Sequence, residues 1–302
     1  MKALGPEANF LGLDPAYSRI ATSQVVILPV PYERTSSYGK GSLRGPQEII
    51  SASPQLEFYD EELEVEIFRL CKGIATAEPL QFEEEEAGAH AIERIYRAVS
   101  DLLEQGKFVV SLGGEHTCCL GPLRAYRERY GPDLTLLHMD AHADLRDQYL
   151  GDPFSHASVM ARASEILSDI VQVGVRSHSL EETARLGQGA IRVFYAFLIQ
   201  KGHMPDWQEQ VIAQLRPNVY ITIDCDFFDP SLIPAVGTPE PGGFHWYDTI
   251  AFLRQVAERR HVVGFDLCEF SPLEGLIHPN FTLARLVYKL IGYCFLTPRP
   301  SC

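Results

Sequence analysis

The sequence predicts an α/β fold, a parallel sheet with helices on both faces, and three observations carry that reading. Short apolar runs of strand length alternate with helical segments, the pattern of βαβ units. The first run, VVILPV at residues 25–30, is apolar throughout, as a strand buried on both faces should be. The polar clusters fall where such runs end: His116, the stretch 140–144, the pair Asp224 and Asp226, and Glu269. That is the edge of a parallel sheet where ligands bind.

In chain order, residues 1–24 read as an irregular N-terminal arm suited to covering a surface, such as that of a neighbouring subunit. After the strand at 25–30 comes a polar, Gly-rich loop, PYERTSSYGKGSLRG, too long and too particular in composition to be a plain connector. Pro46 then opens a helix over 46–53, in the first turn where proline is tolerated. An acidic, partly alternating segment follows at 57–66, and 67–74 reads as an edge strand. The run of glutamates at 83–86 falls in the first turn of a long helix, 83–105, where negative charge suits the helix dipole and calls for no ligand.

Strand 107–112 feeds GGEHT and a helix reaching residue 130. Strand 134–139 runs into DAHAD, a loop spans 145–156, and a helix covers 157–167. Strands at 170–175 and 191–194, a helix at 206–215 and a strand at 219–226 follow. A long loop, FFDPSLIPAVGTPEPGG, leads to a helix at 246–259, the last strand at 262–267 and a closing helix at 280–293.

A length of 302 residues leaves room for two domains, but nothing resembles a linker, so a single domain spanning 1–302 is expected. Hydrophobic residues at 46% suffice for a large core, and a net charge of −14 with no Lys/Arg cluster argues against a nucleic-acid partner. Seven cysteines, two of them adjacent, do not form a disulfide framework and point to a reducing compartment. With no signal-like apolar segment and no run long enough to span a bilayer, a cytoplasmic location without membrane association is expected.

Asp140, His142 and Asp144 stand at i, i+2 and i+4, which on an extended backbone places them on one face. Asp224 and Asp226 repeat the spacing. Four carboxylates packed together repel unless cations intervene, and two divalent ions balance their charge. A pair of ions also brings the pKa of a shared water from 15.7 to about 7. Donors from His116, His142 and four aspartates are mostly hard oxygen, which suits Mn²⁺, with Co²⁺, Ni²⁺ or Zn²⁺ as possible substitutes. Cys225, between two of these residues, points to the opposite face and reads as core.

GGEHT at 113–117, DAHADL at 140–145, SHASVM at 155–160, ITIDCDFFDP with the following GTPEPGG, and Glu269 together resemble the ureohydrolase (arginase/agmatinase) family, in order and over roughly residues 25–293. The resemblance implies a three-layer α/β/α fold around an eight-stranded parallel sheet. It also implies a binuclear manganese centre that hydrolyses a guanidinium group to urea and an amine. It assigns His116, Asp140, Asp144 and Asp224 to one ion and His142, Asp140, Asp224 and Asp226 to the other. His156 matches the family's proton-shuttling histidine and Glu269 its guanidinium anchor; Thr238 would order the rim. Members of the family usually form trimers or hexamers, so a homo-oligomer is expected.

Arginase-like members grip the arginine head group with an Asn- and Ser-bearing loop. Here DLRDQYLGDPFSHAS carries Asp147 and Asp152 instead, which favours an ammonium tail and hence agmatine, giving putrescine. Arg146 and Arg176 could pair with a carboxylate, so guanidinobutyrate, guanidine, aminopropyl-agmatine and arginine remain open. An inactive family member serving as a binding subunit and a one-zinc amidohydrolase are the readings from other classes, and metal content separates them.

Overall fold

The computed structural model describes residues 1–83, 86 and 88–296. Eight parallel strands form one sheet: β1 (Val25–Val30), β2 (Ile74–Thr76), β3 (Phe108–Gly113), β4 (Leu134–Met139), β5 (Ile170–Val173), β6 (Ile191–Phe194), β7 (Asn218–Asp224) and β8 (His261–Cys268). Their spatial order is β2-β1-β3-β8-β7-β4-β5-β6, every neighbouring pair parallel. The chain therefore steps from β3 to β4 across a gap that its last two strands fill. Parallel strands cannot be joined by tight hairpins, so helices make the crossovers and cover both faces.

Strand periodicity divides the core in two. Val25 and Ile27 of β1 and Leu137 and Met139 of β4 point to one face, with helices Gly45–Ala52, Trp207–Gln214, Trp246–Arg259 and His278–Leu296. Val26, Leu28, Leu134 and Leu136 point to the other, with Ala89–Glu104, Leu120–Tyr130 and Val159–Ile166. The result is the three-layer α/β/α sandwich. Among the described residues no helix is long and apolar enough to cross a membrane.

Three expected elements differ. Residues 67–74 are not a strand: Ile67–Leu70 is a helical turn, closed by Lys72 and Gly73 at positive φ, and β2 starts only at Ile74. Ile67, Phe68 and Cys71 are buried around the exposed Arg69, which is a helical and not an alternating pattern. The long helix starts at Ala89, six residues later than expected, so Glu83 and Glu86 precede it; Glu86 instead receives the Arg94 guanidinium at 2.8 Å, and Glu84 and Glu85 lie outside the described residues. The N-terminal segment is less irregular than its composition suggests. It packs on its own chain, with Phe10 and Leu11 buried and their amides donating to Thr76 Oγ1 at 2.8 Å and Ser53 Oγ at 2.7 Å.

Candidate metal centre

Four adjacent strands, β3, β8, β7 and β4, deliver the site at their carboxyl ends. Register aligns their exits: Met139 is opposite Ile223 and Cys268 opposite Asp224, so Asp140 and Asp224 emerge side by side. The Glu269 amide donates to Gly114 O at 2.7 Å, which brings the β8 exit against GGEHT. Beyond these strands the backbone leaves the extended conformation. Asp144 (φ 53) and Glu269 (φ 63) take left-handed backbone conformations, which cost energy for residues with a side chain and persist where surrounding structure imposes them. Asp226 is in the short 3₁₀ turn Cys225–Phe227, where its amide donates to Asp224 Oδ1 at 2.8 Å.

The six expected ligands come together. His116 Nδ1 lies 3.0 Å from Asp140, 3.3 Å from Asp224 and 3.5 Å from Asp144. His142 Nδ1 lies 2.8 Å from Asp226 and 3.6 Å from Asp140. Donor atoms of His116, His138, Asp140 and Asp144 lie within 4.8 Å of one another, and Asp140 also falls in a second such group with His142 and Asp226. Cys225 is buried in the core on one face of the sheet, away from this cluster.

The electrostatics are those of a cation site. Burial, then Asp226 and Asp140, push the Asp224 carboxyl well above the usual carboxylate range, and burial with Asp140 raises Asp144. Burial works the same way on Asp140, but the imidazoles of His138, His116 and His142 overcome it and hold that carboxyl well below its ordinary range. His116 moves well above the ordinary histidine value: burial opposes a charged ring, but Asp140, Asp144 and Asp224 together outweigh it. Its Nδ1 is buried with no hydrogen-bond partner. Nε2, by contrast, lies 2.9 Å from Thr222 Oγ1, whose own proton goes to Asp266 at 2.7 Å. Thr222 therefore accepts Nε2–H, and the Nδ1 lone pair is directed at the carboxylates, the arrangement of a metal-ligating imidazole. The donors fit hard or borderline divalent ions.

His138, which is not among the expected site residues, is buried against the cluster. Its Nε2 lies 2.9 Å from Asp140 Oδ2 and its Nδ1 3.0 Å from Gln172 Nε2. The same Gln172 amide also donates to Ala143 O at 2.8 Å, which fixes its orientation, so Nδ1 accepts and Nε2–H donates to Asp140. His138 thus orients the Asp140 carboxylate. The period-two spacing of Asp140, His142 and Asp144, extended one step back, lands on it.

A cavity of about 190 Å³ opens over the cluster, lined by Glu269, His156 and Thr238 and by Ser36 and Tyr38 of the Gly-rich loop. Glu269 Oε1 accepts the His116 amide at 2.7 Å, and burial, with the neighbouring Glu115 charge, raises its carboxyl well above normal. Asp147 and Asp152, expected to contact substrate, are not in the cavity wall. The Asp147 carboxylate is 75% exposed and takes Arg162 at 2.8 Å and Arg185 at 3.2 Å, while Asp152 accepts the Phe154 amide at 2.8 Å. Both shape the 145–156 loop from outside. Arg146 and Tyr149 of that loop do line the cavity, with Arg146 paired to Glu181 at 2.6 Å.

The family model that matches this chain, described as the arginase family, covers residues 23–292. The chain belongs to the arginase family. Among its relatives, an N(1)-aminopropylagmatine ureohydrolase of Synechocystis sp. is 38% identical, over 92% of this chain and 91% of that protein. An agmatinase of Pyrococcus horikoshii is 32% identical, over 90% and 93%. Among solved structures, the agmatine ureohydrolase of Thermoplasma volcanium matches with a TM-score of 0.80 and 29% identity, over 97% and 94% of the two chains. For this arginase-family chain, then, the ligand cluster occupies the carboxyl edge of the fold that its relatives share.

Proposed function

We propose that the protein hydrolyses the guanidino group of an amine-tailed substrate, agmatine in the first instance, to urea and putrescine. The observation that carries the reading is that His116, His142, Asp144, Asp224, Asp226 and Glu269 line one cavity, with Asp140 buried against both histidines, in a member of this family. His116, Asp140, Asp144 and Asp224 would hold one ion, and His142, Asp140, Asp224 and Asp226 a second, with manganese favoured by the oxygen-rich donor set. When bound, such ions polarise water and lower its pKa to about 7.

The rest is done by the chain's own residues. Glu269, facing the cavity, pairs with the planar guanidinium and aims its central carbon at the cluster. The positive charge of the substrate relieves the cost of keeping that carboxylate ionised in a buried place. His156 carries the proton to the departing amine nitrogen. Thr238, on the rim, limits how the bound group can turn.

The choice of tail follows from the arginines. The two terminal nitrogens of Arg176 donate to the carbonyls of Gly174, Phe227, Asp226, Phe228 and Glu240, which leaves them no capacity for a substrate carboxylate. Arg146 is held by Glu181. Among the described residues lining the cavity, none is a free cation for an α-carboxylate, and the tail that fits is an amine. A second reading, the N-aminopropyl derivative of agmatine, is favoured by the relatives at 36–38% identity that carry that activity in their names. Cys118, Cys119, Cys225 and Cys268 are buried as thiols, which suits a reducing cytoplasm, and a homo-oligomeric state is part of the same proposal.

Urea release with manganese, measured on agmatine, aminopropyl-agmatine, guanidinobutyrate and arginine, tests the reading. The amine-tailed pair should exceed the carboxylate-tailed pair in kcat/KM by at least about 100-fold, the scale of an uncompensated buried charge. Arginine as best substrate would overturn it.

A further inference from the structure

The Gly-rich loop after β1 does more than line the cavity. It wraps a buried carboxylate, Glu115, that the ligand cluster leaves unused. Glu115 is fully buried, and its Oε2 accepts the amides of Arg34 and Thr35, each at 2.6 Å. Its own amide donates to Tyr32 O at 2.8 Å. The crossing is close enough that a Cβ on Gly114 would sit 2.1 Å from that carbonyl, so the second glycine of GGEHT is what lets loop and strand exit meet.

The held loop presents the Thr35 hydroxyl to His156. Thr35 Oγ1 lies 3.1 Å from Glu115 Oε1 and 3.0 Å from His156 Nδ1, and it accepts the His156 backbone amide at 2.9 Å. A hydroxyl has one proton and two lone pairs. The His156 amide takes one lone pair. A carboxylate can only accept, so the Thr35 proton goes to Glu115 and the remaining lone pair receives Nδ1–H of His156. The ring is thereby fixed at two points, its backbone amide and its Nδ1. Tyr149 packs edge-on against it, with ring centroids 5.9 Å apart. Nε2 is then the nitrogen left for chemistry.

We propose that Thr35, clamped by Glu115, is a positioning residue that selects the Nδ1–H tautomer of His156 and commits its Nε2 to proton transfer. The chain Glu115–Thr35–His156 links the first strand's loop to the reaction, which explains why a segment holding neither metal donors nor a guanidinium partner has so particular a composition. The inference rests on His156 as the proton carrier in the hydrolysis proposed above.

The test uses the full-length, manganese-loaded enzyme and agmatine. Thr35→Val keeps the shape and removes the hydroxyl; it should lower kcat by about 10- to 100-fold, the usual cost of losing an orienting partner, with KM and metal content near wild type. Thr35→Ser should retain at least about half of kcat, because it keeps the hydroxyl. In a His156→Asn background, Thr35→Val should add no further loss, since two groups acting as a unit are not additive. Thr35→Ala carries the same comparison if the valine variant does not fold. A Thr35→Val enzyme with unchanged kcat, a Thr35→Ser enzyme as impaired as it, or a full additional loss on the His156→Asn background would overturn the proposal. A His156→Asn enzyme with wild-type kcat would instead overturn the role of His156 itself.

Discussion

Asp60, in the hairpin formed by Tyr59–Asp60 and Val65–Glu66, and Asp224, at the end of β7, are both carboxylates withdrawn from water, at 0% and 4% exposure. Their surroundings are opposite. Lys289, buried on helix His278–Leu296, places Nζ 3.0 and 2.9 Å from the two Asp60 oxygens and 2.7 Å from Glu62, and Tyr293 donates to Glu62 at 2.8 Å. Every charge there has its partner within the chain. Around Asp224 the neighbours are Asp226, Asp140 and, 3.3 Å away, the His116 imidazole, whose Nδ1 has no hydrogen-bond partner. A cluster that closes on itself is structural; a cluster of like charges at the sheet's carboxyl edge is built to be completed from outside.

The comparison breaks most severely at Asp224. Asp224→Ala should abolish urea release, by at least about 10⁴-fold, and lose bound metal in the same preparation; retained metal in an elemental assay would show that Asp224 is not a ligand. Glu269→Ala should lose turnover by about 10²- to 10³-fold while keeping its metal, since Glu269 lines the cavity and is not among the expected ligands. Metal loss in this variant would refute the anchor role. His138→Phe removes the donor that orients Asp140 and should weaken metal affinity or kcat by about 10- to 100-fold, measured by manganese titration of activity.

The closed cluster should answer in stability alone. Lys289→Met takes the closest cation from buried Asp60, leaving it Arg285 at 3.5 Å, and one of three partners from Glu62; it should cost about 3 kcal/mol in denaturant unfolding with kcat unchanged. The Glu62 carboxyl, which burial would raise, is held down to about 2 by hydrogen bonds from Lys289, Arg254 and Tyr293. Because the folded value is depressed, its stabilisation is complete above the ordinary carboxylate value near 4.5 and is lost as pH falls from there to about 2. The difference in unfolding midpoint between wild type and Lys289→Met should narrow over that window.

How much of this was legible in the sequence depended on the range of the interaction. Strands such as Val25–Val30 and Leu134–Met139 announce themselves because burial on both faces demands apolar residues at every position. Asp140, His142, Asp144, Asp224 and Asp226 stand out as candidate ligands because strand ends place them at two-residue spacings. IFRLCKGI at 67–74 misled because a short apolar run carries no length to separate a helical turn from a strand, and the deciding feature, positive φ at Lys72 and Gly73, is a backbone property. Which way a loop carboxylate turns depends on its partners: Arg162 and Arg185 draw Asp147 outward, and Asp152 turns back to the Phe154 amide of its own loop. Thr35 and Glu115, eighty positions apart, meet only because β1 and β3 are neighbours in the sheet.

The central claim is that the open cluster holds two ions. Elemental analysis of the manganese-loaded, desalted protein tests it directly. Close to two manganese ions per chain are expected, falling below one in Asp224→Ala; a single zinc per chain, or no retained metal in the wild type, would contradict a two-ion centre.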